Sequence, residues 1–122
     1  MRPLVIGTYP PRVCGIATFT ADVVASLEGR AGFQRPGVAA VVTDEQELGS
    51  DVVAVIGHDD AASYREAALL ANDFDAVLLE HEFGIFGGAD GEMILDLVDA
   101  LEVPLVVALH TVLPRPTRAR RG

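Results

Sequence analysis

Short apolar runs alternate with longer amphipathic stretches along most of this chain. The apolar runs predict five strands, at 4–7, 38–42, 52–56, 76–80 and 103–109, of which the second and third are rich in β-branched residues. The stretches between them predict three helices, at about 16–28, 59–72 and 91–101. Strands that alternate with helices predict an α/β layer fold with a parallel-cored sheet.

The first helix follows a loop in which two adjacent prolines forbid regular structure. Its apolar residues recur at helical spacing, at Ile16, Phe19, Val23 and Leu27, and Gly29 supplies a C-terminal stop. The start of such a helix presents free N–H groups and the positive end of the helix dipole. This end of the helix suits an anion such as a diphosphate.

The loop before this helix carries no complete phosphate-binding motif. It lacks the three glycines of the dinucleotide fingerprint and the Gly-Lys-Ser/Thr of a phosphate loop. Arg12 either supplies a positive charge to a ligand or is a surface residue in a turn. Cys14 is either a small packing residue or a thiolate activated by the helix start.

The second and third strands are joined by a short polar link, at 43–51. A parallel crossover usually needs a dozen or more residues. We therefore expect these two strands to be antiparallel neighbours, or the third strand to lie at an edge of the sheet.

The charge balance limits the classes of partner. The chain has 122 residues, as expected of one domain, and a formal net charge of −9 from 18 acidic residues and nine arginines. This charge argues against non-specific binding to nucleic acid or to an anionic membrane. The lone Cys14 excludes an internal disulfide and a cysteine-based zinc cluster.

No apolar run approaches the roughly 18 residues of a membrane span. Residues 1–3 lead directly into a strand rather than into a signal peptide. These features predict a cytoplasmic protein without a stable membrane span.

Four of the nine arginines lie in the last eight residues, within a Pro- and Arg-rich tail at 114–122. A basic tail can bind RNA or a membrane. It is alternatively a surface extension, or the place where a longer chain has been cut.

Two of the three histidines follow apolar runs that predict strands. His81 ends the run at 76–80, and His110 ends the run at 103–109. The carboxyl ends of parallel strands meet at one edge of a sheet, where such folds bind ligands. We therefore expect Gly15, His81 and His110 to surround one concavity, with their Cα atoms within about 15 Å of one another. Each histidine is alternatively a structural hydrogen-bonding residue.

A metal site is not predicted at these histidines. His81 and Glu82 are adjacent, so in an extended segment their side chains point to opposite sides. A site shared by His81 and His110 still lacks a third ligand at a recognisable spacing.

The loop after His81 combines glycines with apolar residues. Its glycines, Gly84, Gly87 and Gly88, allow a ligand to approach the main chain or form a tight turn. Its apolar residues, Phe83, Ile85 and Phe86, either plug the core or form an apolar wall for a ligand or a partner domain.

Three blocks of the sequence, in this order and spacing, resemble the N-terminal half of family-four glycosyltransferases. They are YPPRVCGIATFT at 9–20, HEFGIFGG at 81–88 and LHTVLP at 109–114, and the resemblance covers essentially the whole chain. It implies the GT-B fold of two Rossmann-like domains, of which this chain would supply the N-terminal, acceptor-side half. Residues 1–113 would then form an incomplete Rossmann-like three-layer sandwich with a mostly parallel sheet, followed by the tail at 114–122.

The resemblance also implies roles for individual residues. His110 matches the family histidine that faces the donor sugar and is the implied catalytic residue. Arg12, Gly15 and Ile16 match the loop near the donor phosphates, although many members have two consecutive glycines where Cys14 precedes Gly15 here. The implied acceptor and cleft residues are His81, Glu82, Phe83, Gly84, Gly87, Gly88 and Thr111.

The implied reaction is transfer of a hexose from a nucleotide-sugar to a carbohydrate or glycolipid acceptor, with retention of anomeric configuration. The donor is a substrate, and no separate cofactor and no nucleic acid is implied. The family's C-terminal acidic motif has no counterpart in this chain. The isolated chain is therefore expected to be inactive without a C-terminal, donor-binding domain. The alternatives are a non-catalytic, flavodoxin-like module that binds a ligand or a partner, and a truncated product that folds poorly.

Overall fold

A computed structural model of the chain describes residues 1–9, 15–43, 49–81, 85–88 and 91–110, of which residues 15 and 16 are described by their backbone alone. The elements, in chain order, are β1 (Pro3–Gly7), α1 (Gly15–Glu28), β2 (Gly37–Val42), β3 (Val52–Gly57), α2 (Ala61–Ala71), β4 (Ala76–His81), α3 (Met93–Ala100) and β5 (Leu105–Leu109). The bounds predicted from the sequence agree with these within two residues.

The five strands form one sheet in the order β3-β2-β1-β4-β5, and every neighbouring pair is parallel. α1 packs on one face of this sheet, where Val24 meets Val5 and Val38. α2 and α3 pack on the opposite face, where Tyr64 and Leu97 join a second cluster. The chain is therefore a Rossmann-like three-layer sandwich, and the predicted α/β fold is confirmed.

The prediction of an antiparallel β2–β3 pair is wrong, whereas β3 does lie at an edge of the sheet. The two strands are parallel, with Ala40 opposite Val55 and Val42 opposite Gly57. The two strands can be parallel because the link between them is long enough to span the length of a strand. Nine residues at 43–51 can extend over about 30 Å, which exceeds the roughly 20 Å length of a six-residue strand. A link of this length can therefore return along a strand without a helix.

The loop at 85–88 is packed into the core on the α2/α3 face. Ile85 and Phe86 are buried members of that core. The buried Tyr64 hydroxyl accepts a hydrogen bond from the Gly87 N–H at 2.9 Å and donates one to the His58 carbonyl oxygen at 2.9 Å. Tyr64 therefore joins this loop to the end of β3.

Gly87 lies where the backbone of the loop at 85–88 closely approaches the backbone of His58. A Cβ atom at this position would lie 1.9 Å from the His58 carbonyl oxygen, which no side chain can accommodate. Gly88 adopts a φ of +85°, in the left-handed region that favours glycine. These two glycines therefore form the tight, packed turn that was one of the two interpretations of the sequence.

We expect Gly87→Ala to lower the free energy of unfolding by roughly 2 kcal/mol or more, because the new methyl group must displace backbone. Gly49→Ala is the matched control, since its Cβ would have no heavy atom within 4 Å. Urea denaturation followed by circular dichroism measures both. Equal stability of the two variants would contradict the described packing of the loop on His58.

Candidate functional site

The two histidines predicted to share a site lie at neighbouring strand ends. β4 and β5 pair with His81 opposite Leu109, and the His110 N–H donates a hydrogen bond to the His81 carbonyl oxygen at 3.0 Å. Their backbones therefore meet at the carboxyl edge of the sheet, as the sequence predicts.

Their imidazole rings, however, lie on opposite faces of the sheet. The His81 ring lies 5.9 Å from the ring of Phe86, which belongs to the core on the α2/α3 face. The His110 ring lies 4.6 Å from the ring of Phe19 on α1, edge to face. These positions remove the argument that His81 and His110 share one site. Side chains of successive residues alternate between faces, so His110, which follows Leu109, faces away from His81.

The α1 face of the sheet carries a buried acidic residue at this edge. Glu80, near the end of β4, has no solvent exposure. Its Oε2 accepts a hydrogen bond from the Thr20 hydroxyl of α1. Its Oε1 lies 3.8 Å from His110 Nε2. Both of these atoms are buried, and neither has a hydrogen-bond partner within the described residues.

Space for the Glu80 carboxyl comes from Gly7 at the end of β1. A Cβ atom on Gly7 would lie 2.7 Å from Glu80 Oε2 and 3.3 Å from Thr20 Oγ1. The cluster of Gly7, Thr20, Glu80 and His110 is called the carboxyl–imidazole cluster below. Three strand ends and one helix build it.

Burial dominates the electrostatics of this cluster. Removal from water disfavours the charged carboxylate and raises the pKa of Glu80 to about 7, while the hydrogen bond from Thr20 acts in the opposite direction. A carboxyl group with such a pKa exchanges a proton near neutral pH. The neighbouring imidazole is the other group in the cluster that can hold one.

The remaining predicted site residues are distributed as follows. Gly15 and Ile16 begin α1, and Gly87 and Gly88 lie in the packed loop on the other face. Ile85 and Phe86 plug the core rather than form an exposed wall. The positions that fall outside the described residues are Arg12, Cys14, Glu82, Phe83, Gly84 and Thr111.

Sequence reasoning missed Glu80 and Thr20, although each left a signal. Glu80 is a charged residue at the end of an apolar run that is predicted to be a buried strand. Thr20 lies three residues after Ala17 and four before Val24, both of which are buried on α1. A polar residue in a buried helical stripe or a charged one in a buried strand needs a partner.

Among the residues that the structure describes, no group of three or more His, Cys, Asp or Glu side chains is placed to hold a metal ion. No helix within those same ranges is long and apolar enough to cross a membrane.

Comparison with known proteins finds no match for this chain among protein-family models, curated proteins or solved structures.

The raised pKa of Glu80 makes stability depend on pH. The unfolded carboxyl ionises near pH 4.5, whereas the folded one keeps its proton up to about pH 7. Over this window the folded state binds more protons, so stability falls as pH rises. Relative to Glu80→Gln, wild type should lose on the order of 3 kcal/mol of unfolding free energy between these limits.

Urea denaturation of wild type and Glu80→Gln at several pH values from 4 to about 8 measures this difference. Glu66→Gln, at an exposed position of α2, is the control for the loss of one carboxyl group. A constant difference between wild type and Glu80→Gln across the range would contradict the raised pKa.

Proposed function

We propose that this chain is the N-terminal, acceptor-side domain of a retaining glycosyltransferase, which transfers a hexose from a nucleotide-sugar to a carbohydrate or glycolipid acceptor. His110 is the catalytic residue in this proposal and lies beside the reacting sugar. The proposal rests on the resemblance of three sequence blocks to family-four glycosyltransferases, and on the place of His110 in the sheet.

The position of the carboxyl–imidazole cluster supports the proposal. From β1 the chain moves through β2 to β3 on one side, and β4 and β5 lie on the other side. The switch point is therefore between β1 and β4, and open α/β sheets bind ligands in the crevice at such a point. Gly7 and Glu80 lie at the ends of these two strands, and His110 adjoins them. This placement is the observation that carries the proposal.

The start of α1 suits the diphosphate of the donor. α1 follows β1 and begins at Gly15, and its first turn contains no acidic residue. Although the chain has 18 acidic residues, the first of them along the sequence is Asp22. An anion at the start of α1 would therefore meet free N–H groups without a carboxylate in the same segment.

In this proposal, the N-terminus of α1 and the imidazole of His110 act on the reacting groups. A retaining transfer passes through an oxocarbenium-like transition state while a diphosphate departs. The N-terminus of α1 would stabilise the negative charge that develops on the diphosphate. The His110 imidazole would hydrogen-bond the sugar as its bond to the diphosphate lengthens.

Exposed apolar side chains on β5 favour contact with a further domain. Val106, Val107 and Leu109 are 60%, 45% and 64% exposed, on a strand at the edge of the sheet. Val106 lies on the α1 face and Val107 and Leu109 on the other, so both faces of this edge strand expose apolar surface of the kind found at interaction sites. A donor-binding domain is the partner in the proposed enzyme. A flavodoxin-like binding module with a different partner domain is the second candidate, and the assays below separate the two.

In a protein that contains this chain followed by a donor-binding domain, His110→Ala should lower kcat about 10²–10³-fold, the usual cost of one transition-state hydrogen-bonding group. His81→Ala should change kcat only slightly, because its ring lies on the opposite face against Phe86. Release of nucleoside diphosphate with a panel of nucleotide-sugars measures both. Small and equal effects would refute the role of His110, and ligand binding without any transfer would favour the binding module.

Purified residues 1–122 should show little or no transfer, because catalysis needs donor and acceptor held together and this chain supplies one side of the cleft. The same assay of nucleoside diphosphate release measures this. Turnover that scales with the concentration of the purified chain would contradict the proposal that a second domain is needed.

A further inference from the structure

Two buried polar atoms of the carboxyl–imidazole cluster have no hydrogen-bond partner within the described residues. Glu80 Oε1 and His110 Nε2 are both buried and lie 3.8 Å apart. An N–H···O hydrogen bond is usually 2.7–3.2 Å long between heavy atoms. The two atoms therefore lie about 0.6 Å beyond the upper end of that range.

Neighbouring side chains contact the other carboxyl oxygen of Glu80, Oε2, and the ring of His110. Glu80 Oε2 is held by the Thr20 hydroxyl, so the carboxyl group cannot turn Oε1 away without losing that bond. The His110 ring stands edge to face on Phe19, with an interplanar angle of 82°. The His110 side chain is 15% exposed, so part of the ring reaches solvent.

We infer that Glu80 is a positioning residue for His110: its carboxyl group accepts a hydrogen bond from His110 Nε2–H and so leaves Nδ1 as the ring nitrogen that meets a ligand. A carboxylate behind a histidine sets its tautomer and orientation in many active sites. No covalent bond is made or broken in this step.

The proton on Glu80 then changes what His110 offers. With Glu80 ionised, the Nε2–H of His110 points at the carboxylate, and Nδ1 accepts a hydrogen bond from a ligand. When Glu80 takes up its proton, Oε1–H donates to Nε2, the ring hydrogen lies on Nδ1, and Nδ1 donates instead. The corresponding ligand group is a hydroxyl, which can both donate and accept. A polyhydroxylated ligand such as a sugar fits this chemistry.

The groups that face Glu80 within the described residues are Thr20 from α1, the backbone of Gly7 from β1, and His110 after β5. Of these, only the His110 imidazole is an ionisable group, so its coupling to Glu80 is the one to measure.

The inference deepens the proposed function, because the same imidazole is the proposed catalytic group. Its test uses the chain alone and no sugar, so the two can fail separately. If the pair is coupled and no transfer is found in the protein that also has a donor-binding domain, the proposed function fails. If transfer depends on His110 and the pair is uncoupled, this inference fails.

The test is a pH titration of the Glu80 carboxyl carbon by ¹³C NMR in residues 1–122, in wild type, His110→Asn and His81→Asn. Loss of the imidazole removes a donor to the carboxylate, which disfavours the ionised form. The Glu80 midpoint should therefore rise by about one pH unit or more in His110→Asn. It should not move in His81→Asn, because that ring lies on the other face. Equal midpoints in the two variants would overturn the inference.

A second measurement reads the proton on the imidazole directly. Nitrogen-15 spectra of the histidine side chains at about pH 8 should show His110 protonated at Nε2, with a downfield Nε2–H signal that exchanges slowly. In Glu80→Gln, a variant of nearly the same shape, that signal should move upfield and exchange faster, while His81 stays unchanged. An unprotonated Nε2 in wild type would overturn the inference. Backbone amide spectra confirm that each variant is folded.

Discussion

The carboxyl group of Glu80 is fully buried, and the residues around it at the carboxyl edge of the sheet are arranged to accommodate it. An ionisable group without solvent needs hydrogen bonds from its surroundings, because burial otherwise costs more than the fold can sustain. Thr20 supplies one of these bonds from α1, which ties the helix to β4 at this edge. Gly7 supplies the space, since a side chain there would meet the carboxyl oxygen. Three residues therefore surround this carboxyl group. They are the glycine at the end of β1, the polar residue in the buried stripe of α1, and the histidine after β5.

The topology decides which face of the sheet carries this group. Right-handed crossovers place α2 and α3 together, because both connections run toward β5. The connection through α1 runs the other way, so α1 alone covers the opposite face. That face has the smaller core, and it leaves Val106 of β5 mostly exposed. The carboxyl–imidazole cluster therefore lies on the thinner side of the sandwich, where the His110 ring keeps a partly open edge.

Much of this fold could be predicted from the sequence, because its strands are short apolar runs and its helices have regular apolar spacing. The direction of β3 could not be predicted from the sequence. A nine-residue link permits either orientation, and only the packed sheet selects one. The separation of His81 from His110 also depends on register. The alternation of side chains was visible for adjacent residues such as His81 and Glu82. It could not be extended to β5 until the pairing of His81 with Leu109 was known.

Glu80, inside β4, is the acidic residue of the described site, whereas Glu82 lies outside the described residues. Sequence motifs for ligand sites in such folds lie in the residues after a strand, where glycines and polar side chains are common. A parallel strand that is covered on both faces can instead carry its functional residue inside the apolar run, provided that neighbouring elements supply hydrogen bonds. Glu80 meets that condition through Thr20, and it faces the one described imidazole on its side of the sheet. The α1 face of the sheet therefore carries the carboxyl–imidazole pair, while the His81 ring, on the other face, packs against Phe86 of the loop at 85–88.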